Sequence, residues 1–366
     1  MRPGRPVICI VDGSTDVSGA FIAARREAEL LADAAEFVLL TSKESRIGSD
    51  QLAPFVRVHR LPLVSLRRSA WSALIYVPAL LYCSWLMLRV LRREQCKRLQ
   101  LNDFHFGHSA VLRLFGYRGR IVTFIRSNPE RFGAIGRIWL QLALWSSDTL
   151  IAVSQSVRRR MPWPERVQLL YDPTPDVPLL GASTEPNLVL MANYDPRKGH
   201  RDAIDAFHRL ADKHPSARLL LYGGDMGLAG QRANLEVLRS AAKAGPGGDR
   251  IEFHEFVPDP AGALRHARAA LSLSQSESFS LACQEASAHG LPLIATRSGG
   301  PAEIVEEGVT GFLVDVGDVD AIAARMDDLL SDPELARQLG RAGAELVRER
   351  FPAEDYANGL RQAFQL

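Results

Sequence analysis

Cysteine is scarce and scattered. The four residues Cys9, Cys83, Cys96 and Cys283 form no CxxC pair, which argues against a zinc site or a disulfide framework and fits a reducing cytoplasm. Charge of one sign is missing too. Forty-four basic residues against 42 acidic ones leave a formal +2, so nothing points to a nucleic-acid partner. No G-x-G-x-x-G stretch occurs, and a dinucleotide-dependent oxidoreductase therefore lacks its fingerprint. No D-x-D-type aspartate pair stands in a convincing loop, so neither a divalent ion nor another cofactor is expected. Short-period repeats and low-complexity tracts are absent. The opening "MRPGRPVICIVDGS" has an apolar run too short for a signal peptide and reads as a first buried strand.

What is present is a recurring pattern. Apolar, β-branched runs at 7–11, 37–40, 56–59, 99–101, 121–125, 150–153 and 167–170 alternate with helix-length stretches. The pattern restarts at 188–192, 218–221, 251–253, 270–273, 293–295 and 312–314. Such runs predict parallel strands covered on both faces. Between the two series lies "YDPTPDVPLLGASTEPN", a linker composition. With 366 residues, two domains are the natural division. The expected class is α/β, with two Rossmann-like domains facing each other across a cleft and ligands at the carboxyl ends of the strands. The expected boundaries are 1–175, 176–351 and a terminal helix at 352–366, whose docking on the first domain the sequence leaves open.

The stretch "SESFSLACQEASAHGLPLIATRSGG" begins at Ser276. Glu277 falls in a loop at a strand end, and Glu285 falls eight residues on, inside a helix capped by Ser280. A free helix N-terminus suits phosphate or an electron-rich sugar. Upstream, "LVLMANYDPRKGHRDAIDAF" places Arg197 and Lys198 at another strand end, where two cations suit a diphosphate.

The ordered pieces "KGH…AIDAF", "LLLYGGD", "IEFHEFVPD", "ESFSLACQEA", "GLPLIATRSGGPAEIVEEGVTGFLV" and "RMDDLLSDPELARQLG" closely resemble the C-terminal domain of retaining glycosyltransferases of the GT-B fold, family 4, the glycosyl transferases group 1. The resemblance covers roughly residues 188–351. It implies that Glu277 sits beside the donor sugar and that Glu285 binds the ribose hydroxyls. Lys198 would neutralise the diphosphate, and the backbone around Phe279, Ser280 and Leu281 would line sugar and phosphates. Residues 253–257, with Glu255, would flank the base. Three positions depart from the family pattern. Ala192-Asn193 stands where relatives have Gly-Arg, leaving Arg197 to replace the charge and Asn193 as a candidate ligand. Glu255 and Ser280 each stand where relatives have glycine.

In the first half the resemblance implies a glycine-bearing loop near the transferred sugar, for which Gly19 is the best match and Gly13 the second. In "LNDFHFGHSA" a histidine is expected to touch the donor. Asn102, Asp103, His105 and His108 all compete, and His105 is preferred, with Asp103 on the acceptor side. Arg126, at the next strand end, takes a place where relatives often carry histidine and is a candidate for acceptor or phosphate. The run 69–93 holds no charge before Arg89 and reaches spanning length. Pro78 interrupts it and basic residues flank it on both sides. A true membrane span is the least favoured reading, and two others stay open. One is an ordinary core helix. The other is an interfacial helix that puts Trp71, Tyr82 and Trp85 in lipid and Arg67 and Arg68 on anionic headgroups.

These features imply a retaining, metal-independent glycosyltransferase that moves a sugar from a nucleoside-diphosphate sugar to a glycan or lipid-linked acceptor, in surface polysaccharide or glycolipid assembly. It would be cytoplasmic and peripherally attached to an anionic membrane surface. The alternative is a non-catalytic relative that binds nucleotide sugar within a complex.

Overall fold

The Val-, Ile- and Leu-rich runs become parallel strands because both their faces are covered by helices. The computed structural model describes residues 5–63, 70–257 and 259–366. The chain divides into two compact units, Met1–Asp172 with Ala353–Leu366, and Pro173–Pro352.

In the first unit the strands are β1 (Val7–Asp12), β2 (Glu36–Ser42), β3 (Arg57–Leu61), β4 (Arg98–Leu101), β5 (Arg120–Ile125), β6 (Thr149–Ala152) and β7 (Gln168–Leu169). Their spatial order is β3-β2-β1-β4-β5-β6-β7, parallel throughout. Chain direction along the sheet therefore reverses between β1 and β4, paired with Cys9 opposite Leu99. The helices are α1 (Gly19–Leu30), α2 (Ala70–Arg93), α3 (His108–Leu114), α4 (Gly133–Ser146) and α5 (Gln155–Arg159).

The second unit repeats the plan with β8 (Asn187–Met191), β9 (Arg218–Tyr222), β10 (Ile251–His254), β11 (Ala269–Ser272), β12 (Leu293–Thr296) and β13 (Gly311–Val314), in the order β10-β9-β8-β11-β12-β13. Its helices are α6 (His200–Leu210), α7 (Ala229–Lys243), α8 (Ala261–Leu264), α9 (Leu281–Ala288), α10 (Pro301–Ile304), α11 (Val319–Ser331) and α12 (Pro333–Arg350). Helical spacing explains α6: Ala203, Ile204, Phe207 and Leu210 form one stripe, buried with Leu188, Leu219 and Leu271. α12 starts where Asp332 caps the N–H groups of Glu334 and Leu335 and Pro333 takes the first helical position.

The crossing between units falls after Asp172 rather than after the expected 175. The returning helix, α13 (Ala353–Phe364), belongs to the first unit. There Arg98 donates to the carbonyls of Phe364 at 2.8 Å and Gln365 at 2.9 Å.

α2 runs unbroken through Pro78. Cys83, Met87, Leu88 and Leu91 are buried in a cluster with β1 and β4, and burial of each large apolar chain contributes about 1.5–3 kcal/mol. Val77, Leu81, Tyr82 and Trp85 are exposed. α2 thus has a core face and an apolar outer face. Arg67 and Arg68 lie outside the described residues, as does the side chain of Trp71. Among the described residues no helix is long and apolar enough to cross a membrane.

Candidate active site

In a doubly wound sheet, the loops after the two strands at the reversal point diverge and leave room for a ligand. In the second unit those strands are β8 and β11, and their loops carry Lys198 and Glu277. The Lys198 ammonium donates to Glu277 Oε1 at 2.6 Å, and Ser274 donates to the same oxygen at 2.7 Å. Both charged chains are partly exposed.

Backbone pairing fixes this carboxylate. Glu277 N–H donates to the Ser298 carbonyl at 3.0 Å, and Gly300 N–H donates to the Glu277 carbonyl at 3.1 Å. Thr296 holds the Ser274 carbonyl at 2.6 Å. Two glycines permit the close approach. A Cβ on Gly300 would lie 2.3 Å from Phe279 Cα, and one on Gly199 would lie 2.1 Å from the Leu273 carbonyl, at a φ of +74°.

α9 begins immediately beyond, capped by Ser280. Ser280 holds φ 84°, ψ 82°, a left-handed conformation that costs a non-glycine residue about 1–3 kcal/mol. It is a conformation that glycine adopts without strain, held here by a serine. Phe279 is buried and packs edge-on against Phe351 at 5.2 Å, so its backbone, not its ring, borders the site. Leu281 opens α9, and Glu285 lies half-buried within it.

The structure separates the two cations of the β8 loop. Arg197 makes two bonds to its own neighbour, Asp195, at 2.8 and 2.6 Å. The Arg197 hydrogen bond pulls the Asp195 carboxyl down to about 2. Lys198 alone meets Glu277. Asn193 Oδ1 is buried with no hydrogen-bond partner among the described residues, which leaves it able to accept from a ligand. At the ends of β9 and β10, Tyr222 and His254 stack at 4.5 Å and 14°, with Glu255 exposed just beyond. Sequence reasoning missed the Tyr222–His254 pair and Ser274. Ser274 was visible as a hydroxyl two residues past a strand, but its partner was not.

In the first unit the reversal point lies at β1 and β4. The β1 loop leads through Asp12 and Ser18, the α1 cap, to the exposed Gly19. Asn102 donates to Asp12 and to the Ala20 carbonyl, tying the β4 loop to the β1 loop. His105 Nδ1 lies 3.2 Å from Asp103, and its ring stacks on Phe132 at 5.3 Å. His108 is buried, with Nδ1 bonded to Ser84, and burial pushes its pKa down to about 4. His105, the candidate preferred in the sequence, is partly exposed, whereas His108 is enclosed.

Arg126 and Asp103 are corrected by the structure. The Arg126 side chain is 6% exposed and bound to Glu27 at 2.6 Å, Asp172 at 2.8 Å and Asn102 at 2.9 Å. It has no donor left for an acceptor. Asp103 is also buried. Burial alone would raise its carboxyl, but His105, the Ser127 hydroxyl and the Phe104 N–H outweigh burial and hold it below its ordinary value. Asp103 therefore organises its loop. Among the described residues no three metal-ligating side chains converge.

Two doubly wound parallel sheets define the GT-B class of fold. Residues 178–346 match the family described as glycosyl transferases group 1. The chain is 33% identical over 191 residues to N-acetyl-alpha-D-glucosaminyl L-malate synthase of Bacillus anthracis, covering 52% of this chain and 48% of that protein. A GDP-mannose-dependent phosphatidylinositol monomannoside mannosyltransferase of Mycolicibacterium smegmatis is 33% identical over 172 residues, covering 44% of this chain and 43% of that protein. The match thus spans about half the length of these curated relatives. The crystal structure of Anabaena HepE in complex with UDP-glucose superposes with a TM-score of 0.82 at 17% identity, covering 98% of this chain and 99% of that one. At that identity the likeness establishes the fold.

Proposed function

We propose that the chain is a retaining glycosyltransferase moving a sugar from a nucleoside-diphosphate sugar to a lipid-linked acceptor in surface polysaccharide or glycolipid assembly. The carrying observation is the Lys198–Glu277 pair at the reversal point of the second sheet, 2.6 Å apart, with Glu285 on the helix that follows. The diphosphate displaces Glu277 from the Lys198 ammonium. It receives further charge stabilisation from the N–H groups at the start of α9. Glu277, released, accepts hydrogen bonds from the sugar, and Glu285 accepts them from the ribose. The bond from the anomeric carbon to the leaving phosphate oxygen breaks through an oxocarbenium-like state. The acceptor oxygen bonds that carbon on the same face, and its proton passes to the leaving phosphate. No further base and no divalent ion is required.

The names of the relatives support a nucleotide-sugar donor: one is GDP-mannose-dependent and another was solved in complex with UDP-glucose. A lipid-linked acceptor and peripheral attachment at the cytoplasmic face of an anionic membrane are supported by the exposed apolar face of α2, with Tyr82 and Trp85. The second reading, a non-catalytic nucleotide-sugar binder, is favoured only by Ala192-Asn193, which stands where relatives carry Gly-Arg.

Calorimetry with UDP, GDP and ADP tests the division of labour. One of the three should bind. Glu285→Gln should weaken that binding on the order of tenfold, the usual worth of a charge-assisted hydrogen bond. Glu277→Gln frees Lys198 and should leave nucleotide affinity equal or tighter while damaging transfer. Equal loss of affinity in both variants would contradict the assignment.

A further inference from the structure

Among the described residues seventeen large apolar side chains are exposed, and nine of them lie on α2, α3 and α4. These three helices form one layer on the first sheet. Cys83, Met87, Leu88 and Leu91 of α2 pack on β1 and β4. Trp139, Leu140 and Ala143 of α4 pack with β5 and β6, and Tyr76 and Leu80 of α2 join them. The seams between the helices also hold polar contacts. Ser84 of α2 shares a 2.8 Å hydrogen bond with His108 of α3, and Ser146 of α4 donates to Ser109 of α3 at 2.8 Å. Hydroxyls and an imidazole are thus buried between the helices while large apolar chains stand on the outer side of the layer.

On α4 the outward residues Ile135, Ile138, Leu142 and Trp145 recur at helical spacing, with Ile138 54% and Trp145 62% exposed. Neither a core nor a neighbouring helix among the described residues covers them. On α2, Tyr82 stacks on Trp85 at 6.2 Å, and Arg89 lies over the Trp85 ring at 4.9 Å. Every charged side chain within α2, α3 and α4 is arginine: Arg89, Arg92, Arg93, Arg113 and Arg137. Arg113 is held by Asp148, and the other four are exposed. Glu94, directly after α2, is taken up by Arg57 and His59.

We infer that α2 and α4 together form one membrane-contact face, in which α4 inserts Ile138 and Trp145 beside Tyr82 and Trp85 of α2. Arg89, Arg92, Arg93 and Arg137 meet anionic headgroups. The inference rests on the membrane reading of α2 and extends it to a helix that neither the sequence nor that reading had singled out. An exposed apolar surface with a single sign of charge selects its occupant. A second copy packed face to face would bring arginine against arginine, which costs free energy. An anionic bilayer offers hydrocarbon to the rings and phosphate to the guanidiniums, with the electrostatic part falling as salt rises.

Flotation with phosphatidylglycerol and phosphatidylcholine vesicles tests this. The wild type should float with the anionic vesicles at least several-fold better than with neutral ones, less so in high salt. Ile138→Ser with Trp145→Ser, and separately Tyr82→Ser with Trp85→Ser, should each lower binding on the order of tenfold. Far-ultraviolet dichroism should be unchanged, because the altered positions are exposed. As a check independent of those folds, Trp145→Phe should remove part of the tryptophan emission quenched by brominated phosphatidylglycerol. If only the α2 variant loses binding and Trp145→Phe leaves the quenching unchanged, α4 lies off the membrane and the inference fails while the α2 reading stands. If the wild type binds neither vesicle, both fall. If light scattering shows the α4 variant converting a dimer to a monomer with flotation unchanged, the face belongs to a second copy and the inference is overturned.

Discussion

Lys198→Ala is expected to cut sugar transfer by roughly a hundredfold or more while the protein stays folded. Removing one preorganised contact to a leaving group's charge typically costs about 3 kcal/mol of transition-state stabilisation. The fold should hardly notice. Lys198 is partly exposed, and its partner Glu277 keeps the Ser274 hydrogen bond at 2.7 Å and its backbone anchors to Ser298 and Gly300. A part-exposed ion pair contributes about 1 kcal/mol or less to stability. Arg197 cannot substitute readily, because its guanidinium is committed to Asp195. Steady-state transfer and thermal unfolding measured on the same preparation separate the two effects. Near-wild-type turnover in a folded variant would remove Lys198 from the chemistry.

Arg126→Ala is expected to have the opposite signature, a large loss of stability whose effect on transfer follows from unfolding. Its side chain is enclosed with Glu27 and Asp172, and Tyr356 of α13 donates to Glu27 at 2.7 Å. Truncation leaves two buried carboxylates without their cation, a change that typically costs about 3–5 kcal/mol. That corresponds to a fall on the order of 10 °C in the unfolding midpoint of the first unit. The deficit should depend on pH. Burial already raises the Glu27 carboxyl above its ordinary value, and Arg126 is the chief opposing influence. Without Arg126 the folded state binds a proton more readily than the unfolded one. Stability of the variant relative to wild type should therefore fall as pH rises and recover in mildly acidic buffer. Denaturant unfolding at several pH values checks this. A variant with wild-type stability at neutral pH would mean that the cluster does not hold α13 and Asp172.

These two arginine and lysine positions show where single-sequence reading works and where it stops. The placement of Lys198, Glu277 and Glu285 was legible because the elements that carry them are local: strand-end loops and one helix start, each marked by apolar runs and turn residues. The strands of both sheets were legible for the same reason. Arg126 also stands at a strand end, and nothing local distinguishes it from a ligand. Its carboxylate partners are 99 and 46 residues away in the chain, and such pairings are set by tertiary packing. The sequence places the crossing slightly later than Asp172 because linker composition begins near Tyr171, whereas the bond that Arg126 donates to Asp172 ties that residue to the first unit. Pro78 looked like an interruption, yet packing on both sides of it carries α2 through. The outward face of α4 was hidden because periodicity alone does not say which apolar residues of a mostly apolar helix meet the sheet.

Donor turnover is the most direct measurement. The wild-type protein is incubated with UDP-, GDP- and ADP-linked sugars and a lipid-phosphate-linked acceptor, with and without a chelator. Release of nucleoside diphosphate is followed together with the anomeric configuration of the transferred sugar by NMR. One donor should be consumed, the anomeric configuration of that donor should be retained, and chelation should leave the rate unchanged. Binding of a nucleoside diphosphate with no sugar consumed would favour the non-catalytic reading. An inverted product, or a rate abolished by chelator and restored by magnesium or manganese, would contradict the mechanism built on Lys198 and Glu277.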